Sequence, residues 1–275
     1  MVPSGATVGA MKDLRGKTAV ITGGASGIGR AMAESFRDAG MNVVIADVEA
    51  VALERTASEL GVHHVQVDVT KEEQVVALAE EVRTRFGTCH VLCNNAGVGG
   101  GGMLHELSMR DWKWVIDVNL WGVVHGLQSF LPMLLGNPDG GHVVNTASMA
   151  GLSPLPGAAP YAATKYAVVG ISETMREELR DSQVGVSVLC PGFVKTNIFT
   201  SQRNRPEELR NERKKTSARV ANEDMIRLVN ETAIDPRDVA AKVLAAVEND
   251  EFWIITHPDL LEPYRLRNRE LHGPC

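Results

Sequence analysis

The chain has 275 residues, of which 44% are hydrophobic and 23% charged, the proportions of an ordinary globular protein. A net charge of −6 and a pI near 5.8 argue against nucleic acid or an anionic membrane as the main partner. No stretch approaches the ~18 consecutive apolar residues of a membrane helix, and residues 1–10 lack the basic start and apolar run of a secretory signal, so a cytoplasmic protein is expected. Cys89, Cys93, Cys190 and Cys275 show no C-x-x-C spacing and the histidines are scattered, which predicts free thiols and no metal site.

Residues 1–13 read as a disordered leader, rich in Gly, Ser, Thr and Pro at their start. From Lys17 onward, apolar runs of strand length alternate with helical patterns, the signature of repeated βαβ units. Strands are predicted at 18–22, 42–46, 64–67, 91–94, 141–147, 184–190 and 252–256. The expected fold is therefore α/β, a Rossmann-type doubly wound parallel sheet of about seven strands with helices on both faces, in one domain over 14–260. Thr70-Lys71-Glu72-Glu73 reads as a capping box before Val75, Leu78 and Val82. Ser108 to Asp111 opens a long helix running to about Leu135, and Pro160 fits the first turn of the next. The segment 196–232 breaks the alternation, with eight basic and six acidic residues between Arg203 and Glu231. Two readings stay open for it: solvated surface helices, or a lid over the carboxyl ends of the strands, where open α/β sheets bind ligands. Residues 261–275 form a C-terminal tail.

The glycine cluster Thr22-Gly23-Gly24-Ala25-Ser26-Gly27-Ile28-Gly29 follows a strand and opens a helix near Ile28, the context a dinucleotide-binding loop requires. Gly23 allows the tight turn, while Gly27 and Gly29 let backbone and helix approach a pyrophosphate. Asp47 ends the second strand, where a carboxylate can accept from the ribose hydroxyls and repel a 2′-phosphate, so NAD is favoured over NADP. Ser26 and Val48 stand where basic residues would suit a 2′-phosphate; Arg30, one turn inside the helix, is the cation that could oppose this choice. Tyr161 and Lys165 are i and i+4 on a helix, so an ammonium can come near a phenol whose ordinary pKa of ~10 makes it a poor base at neutral pH.

With these motifs in their order along Leu14 to Asp259, the chain resembles the short-chain dehydrogenase/reductase family. The resemblance adds Asp68-Val69 after the third strand, Asn94-Asn95-Ala96-Gly97, Asn119, Ser148, and Pro191-Gly192 followed by Val194 and Thr196. It implies that Ser148, Tyr161, Lys165 and Asn119 are catalytic. It also implies that the cofactor is held by Gly23, Ser26, Gly27, Ile28, Gly29, Asp47, Asp68, Val69, Asn95, Ala96, Gly97, Tyr161, Lys165, Pro191, Gly192, Val194 and Thr196. In that scheme Asp68 and Val69 contact the adenine, and Lys165 binds the nicotinamide ribose. Asn119 holds a water behind Lys165, Ser148 binds the substrate oxygen, and Tyr161 is the general acid or base. Thr146 and Ser153 are the hydroxyls that compete with Ser148.

The resemblance also implies a homo-dimer or homo-tetramer built on the helices that begin at Asp111 and carry Tyr161. Phe252 to Asp259 departs from the family's glycine-rich ending, which puts transfer of substrate or subunit arrangement in doubt. Met149, Leu155, Pro156, Phe193, Ile198 and Phe199 are expected to line the pocket and suggest a hydrophobic secondary alcohol or ketone. The expected activity is NAD-dependent oxidation of an alcohol or reduction of a ketone. The alternatives are an NADP-dependent carbonyl or 3-ketoacyl reductase and a non-catalytic dinucleotide-binding scaffold.

Overall fold

A computed structural model describes residues 10–153, 155–211 and 232–272. Seven parallel strands form one sheet: β1 (Thr18–Thr22), β2 (Asn42–Asp47), β3 (His63–Gln66), β4 (Val91–Asn94), β5 (Gly141–Thr146), β6 (Val184–Cys190) and β7 (Trp253–Ile255). Their order is β3-β2-β1-β4-β5-β6-β7, so the doubly wound architecture expected from the sequence is the one found. The chain builds outward from β1 to β3, then returns to place β4 on the other side of β1. That reversal opens a crevice at the carboxyl ends of β1 and β4.

Side-chain alternation along the strands divides the interior into two layers. Val20, Val44, Leu92 and Val143 face one layer, under α3 (Glu72–Phe86), α5 (Gly122–Leu135) and α6 (Ala159–Glu178). Ala19, Ile21, Val43, Ile45, Val91 and Cys93 face the other, under α1 (Gly27–Asp38), α2 (Ala50–Leu60) and α7 (Pro236–Asn249). Strands buried on both faces must be largely apolar, which is why β1, β2 and β6 read as apolar runs. Two polar interruptions are satisfied internally: His142 of β5 with Ser187 of β6, 2.7 Å apart, and a seam at the sheet's centre. Asn94 donates through its Nδ2 to Asn145 Oδ1 at 3.0 Å, Asn145 donates to Ser172 Oγ at 3.1 Å, and Ser172 returns its proton to the Val168 carbonyl.

The long helix predicted from Ser108 is composite. Ser108 and Asp111 form a reciprocal capping box at the start of α4 (Met109–Ile116), a π-helical turn follows at Asp117–Trp121, and α5 continues to Leu135. An 18-residue window within this 27-residue run has a mean hydropathy of 1.2, long and apolar enough to cross a bilayer, yet the run packs on β4, β5, α3 and α6 as a sheet-covering helix. The capping box expected at Thr70 does not form: Lys71 is the cap residue, without a side-chain bond, because Asp68 Oδ1 takes the Thr70 amide at 3.0 Å. The expected leader falls mostly on residues 1–9, which lie outside the described residues. Met11 is buried, however, and its amide donates to the Val247 carbonyl at 3.2 Å. Of the segment 196–232, residues 212–231 lie outside the described residues; Ile198–Asn204 is a 3-10 segment. The tail carries α8 (Glu262–His272), where Arg267 stacks on Tyr166 of α6 and Tyr264.

Candidate active site

The crevice at the carboxyl edge of the sheet is a cleft of about 770 Å³. Its floor is the turn after β1. Gly23 adopts φ +67°, a conformation that side chains resist, and a Cβ there would lie 2.8 Å from Ala96 Cα. Gly29 does not line the cleft; a Cβ on it would overlap the Gly23 carbonyl, so its role is to let α1 close down on the turn rather than to touch a ligand. Thr22 and Asn95 tie the turn to β4: Thr22 Oγ accepts from the amides of Asn95 (3.0 Å) and Ala96 (3.1 Å), and the Asn95 carboxamide donates to Thr22 O. Ser26 precedes α1 without capping it by its side chain, which leaves the helix's first N–H groups facing the cleft. This cradle fits a pyrophosphate: backbone donors at a helix start, and no room for side chains.

Asp47 closes one end. Its carboxylate accepts from the Ala25 amide (Oδ2, 3.1 Å) and the Glu49 amide (Oδ1, 3.0 Å), which fixes its orientation in the cleft. Burial raises its pKa, and those two backbone bonds work against the rise. Arg30 pairs with Glu59 of α2 at 2.8 Å and does not reach the cleft. Ser26, Gly27, Ile28, Asp68, Val69, Asn95, Ala96, Gly97, Pro191, Gly192, Val194 and Thr196 all line it with Gly23 and Asp47.

At the opposite end the cleft meets Ser148, Tyr161 and Lys165. Ser148 caps a 3-10 turn after β5, its Oγ accepting from the Ala150 amide at 3.1 Å. Pro160 stands in the first turn of α6, so Tyr161 rests on a fixed backbone there, packed against the Val98, Trp114 and Val115 cluster. Lys165 Nζ lies 5.6 Å from the Tyr161 ring centroid and donates to the Thr146 carbonyl at 2.7 Å. Burial depresses its pKa from 10.5 to about 8. Burial also pushes the Tyr161 phenol up, with the hydrogen bond to Ser148 opposing it. Burial thus sets the direction, opposite to the one expected from the spacing of Tyr161 and Lys165. Of the competing hydroxyls, Thr146 is directed to Asn95 Oδ1 at 3.4 Å, and Ser153 is buried away from the cleft.

Asn119 sits in the π turn and is fully buried, off the cleft surface. Its Oδ1 accepts from the Val98 amide at 2.8 Å and its Nδ2 donates to the Val98 carbonyl at 3.0 Å, so it holds the strand-end loop as a backbone would. A Cβ on Gly97 would lie 3.4 Å from Asn119 Oδ1 and 3.7 Å from Lys165 Nζ, which places Asn119 one small residue away from the ammonium. Met149 is a correction: it lies in the core under α6, because the turn that aims Ser148 at the cleft aims the next side chain inward. Leu155, Pro156, Phe193, Ile198 and Phe199 do line the cleft. Sequence reading missed Trp114 and Leu209, which complete its apolar end, and Glu49, Arg203 and Asn204 at its polar end. It also missed a support for the Pro191-Gly192 turn: Thr256 Oγ accepts the Gly192 amide at 3.0 Å and is itself bonded to His257 Nδ1 at 2.7 Å.

A doubly wound parallel sheet, a glycine cradle at its switch point and a Ser, Tyr, Lys cluster in the same cleft define a dinucleotide-binding oxidoreductase. The short chain dehydrogenase family model matches residues 17–207, and the chain belongs to that family. It is 34% identical over 261 residues to C alpha-dehydrogenase of a Sphingobium species, covering 92% of this chain and 84% of that one. It is 37% identical over 264 residues to 1-deoxy-11-beta-hydroxypentalenate dehydrogenase of Streptomyces arenae, covering 92% and 86%. A Burkholderia phymatum short chain dehydrogenase/reductase, solved in complex with NAD, superposes with a TM-score of 0.93 at 43% identity, covering 96% of this chain and 99% of that one.

Proposed function

We propose that this chain is an NAD(H)-dependent oxidoreductase interconverting a secondary alcohol and a ketone, on a hydrophobic substrate, with Tyr161 as general acid and base. The observation that carries the reading is the single cleft, which joins the glycine cradle and Asp47 at one end to Ser148, Tyr161 and Lys165 at the other. Bound at the cradle, a nicotinamide dinucleotide supplies or accepts the hydride at the substrate carbon. The protein's part is then proton transfer, orientation and exclusion of water.

In reduction the protonated phenol donates to the carbonyl oxygen; in oxidation the phenolate accepts the alcohol proton. The raised pKa of Tyr161 suits the first role as the chain stands, and the second calls for nearby positive charge. Lys165 has two ammonium protons beyond the one given to Thr146 O, and in this reading they hold the nicotinamide ribose. Ser148 hydrogen-bonds the substrate oxygen as charge develops on it, a role worth on the order of 3 kcal/mol in comparable sites. Asn119 acts through the Val98 loop and a water behind Lys165.

The preference for NAD rests on Asp47. With one bond from a backbone amide to each oxygen, its remaining lone pairs are free for ribose hydroxyls, and its charge opposes a 2′-phosphate. Arg30, the cation the sequence sets against this choice, is paired with Glu59 outside the cleft. Val98, Trp114, Leu155, Ile198, Phe199 and Leu209 make the substrate end apolar, and Lys113 beside it is paired with Asp117 at 2.8 Å. The dehydrogenase relative named for a hydroxypentalenate supports an alcohol as substrate. Homo-oligomerisation belongs to the same reading, supported by the half-exposed Trp121 on the incompletely buried helix Met109–Leu135. Cytoplasmic location does too, supported by the buried free thiols Cys89, Cys93 and Cys190.

The test is a panel of hydrophobic secondary alcohols and their ketones, aliphatic, terpenoid and steroid, followed by NADH or NADPH absorbance. Turnover faster with NAD than with NADP at equal concentration is expected. Silence across the panel in both directions sinks the substrate reading, and a preference for NADP sinks the role given to Asp47.

A further inference from the structure

Residues 196–205, after β6, line much of the cleft and are fastened at three points. Near the cradle, a Cβ on Gly27 would lie 3.0 Å from the Thr196 methyl, so the segment starts packed against the glycine turn. At its middle, Ser201 Oγ accepts the Gly99 amide at 2.9 Å and donates to Ile198 O at 2.7 Å. At its far end it divides. Arg205 turns inward, is buried against Trp114 at 5.2 Å, and bonds Asp111 Oδ1 at 2.8 Å. Arg203 and Asn204 turn the other way and hold Glu49: Arg203 Nε donates to Oε2 at 3.2 Å and Asn204 Nδ2 to Oε1 at 2.9 Å.

Glu49 stands two residues past Asp47, and Arg203 and Asn204, which come from the connection after β6, line the same cleft. Their bonds therefore cross the mouth of the cleft at its ribose end. A dinucleotide lying on the glycine cradle would sit beneath this crossing and could not lift out while it held. The pair is partly exposed, with side-chain exposures of 37% and 28%, so water and salt can compete for it. That suits a contact that opens and recloses in every catalytic cycle better than one that only stabilises the fold.

We propose that Glu49, Arg203 and Asn204 are cofactor-retaining residues, a latch across the ribose end of the cleft whose opening sets the rate at which the dinucleotide leaves. The buried Arg205–Asp111 pair is the fixed point about which the segment swings. The proposal rests on the cleft being a dinucleotide site and is independent of which alcohol is oxidised. It extends the fingerprint positions with three side chains from segments far apart in the chain.

The experiment is stopped-flow displacement of NADH from the full-length protein, read by nicotinamide fluorescence, for the wild type, Glu49→Gln, Arg203→Met, the double variant and Arg203→Lys, at low and high salt. Arg180→Met, which removes an exposed pair with Glu177 on the far end of α6, is the control. Release is expected to quicken about fivefold in either single variant, the range of a well-made exposed pair. It should quicken no further in the double variant and be partly restored by lysine. Salt should speed release from the wild type and leave Arg203→Met unchanged. Release from Arg203→Met within twofold of the wild type, or an equal gain in Arg180→Met, overturns the latch. If the wild type binds neither NADH nor NADPH, the dinucleotide reading fails first and the latch with it. Tight binding with unaltered release overturns the latch alone.

Discussion

The two ends of the cleft are built on different principles. The cofactor end is made of backbone: glycines at Gly23 and Gly27 with φ of +67° and +54°, the first amides of α1, and one carboxylate fixed by two N–H groups. The substrate end is made of side chains from four separate segments, Val98 after β4, Trp114 on α4, Leu155 after β5, and Ile198 with Leu209 after β6. The first should fail abruptly when one atom is added. The second should change by degrees as volume is removed. Tyr161 belongs to both, since its hydroxyl is the proposed acid and base while its ring packs with Val98 and Trp114.

The hardest test of this contrast is at that junction. Tyr161→Phe keeps the ring and its packing and removes the proton; turnover is expected to fall by about 10²- to 10⁴-fold with cofactor affinity retained, measured by steady-state rates and NADH titration. A variant that turns over at the wild-type rate would end the acid/base assignment. Next in size is Gly29→Ala. The added Cβ meets a carbonyl of the turn backbone, which cannot swing aside, so cofactor affinity should weaken more than tenfold or the thermal midpoint drop by several degrees. Affinity and midpoint both within error of the wild type would mean that the turn is softer than its geometry.

A smaller effect comes from Lys165, held near a pKa of about 8 against its ordinary 10.5. Between those values the unfolded chain binds a proton that the folded chain lacks, so this group makes stability rise with pH across that window. The raised thiols of Cys89, Cys93 and Cys190 act with the opposite sign. The quantity to measure is therefore the difference between wild type and Lys165→Met in denaturant midpoint at pH 8 and pH 10. The wild type should gain relative to the variant, and parallel slopes would remove burial as the cause of the shift. Smallest is Leu209→Ala, expected to raise KM for a hydrophobic substrate about tenfold while leaving NADH affinity alone. A loss confined to cofactor binding would blur the line between the two ends.

The same contrast explains what could be read in advance. Gly23, Gly27, Asp47 and the Tyr161, Lys165 pair are local: a turn conformation, a strand end and a helical spacing each fix what the residue can do. Trp114, in the connection from β4 to β5, and Arg203 and Leu209, both in the connection from β6 to β7, carry no such mark, because tertiary folding and not local spacing brings them to the cleft. Met149 was misassigned for a related reason, since nearness in sequence to Ser148 does not give direction, and a 3-10 turn reverses it within one residue. Arg30 was legible as a cation but not as one already engaged, because Glu59 lies on another helix. The π turn at Asp117–Trp121 was likewise invisible to periodicity, although it lets Asn119 face Val98 from within an apolar helix.

The paired carboxamides of Asn94 and Asn145 sit opposite one another in the ladder between β4 and β5, whose other paired residues are apolar except for His142. Parallel strands of valine and leucine resemble one another at every offset, and a slip by one residue would cost them little shape. For these two strands it would strand two carboxamides without each other in opposite hydrocarbon layers. Gly126, whose missing side chain leaves the slot that Asn94 fills, makes α5 part of the same alignment. The seam thus acts as a vernier for the assembling sheet: it fixes to one residue the height at which Asn95 and Ser148 emerge at the carboxyl edge, before any ligand is there to align them.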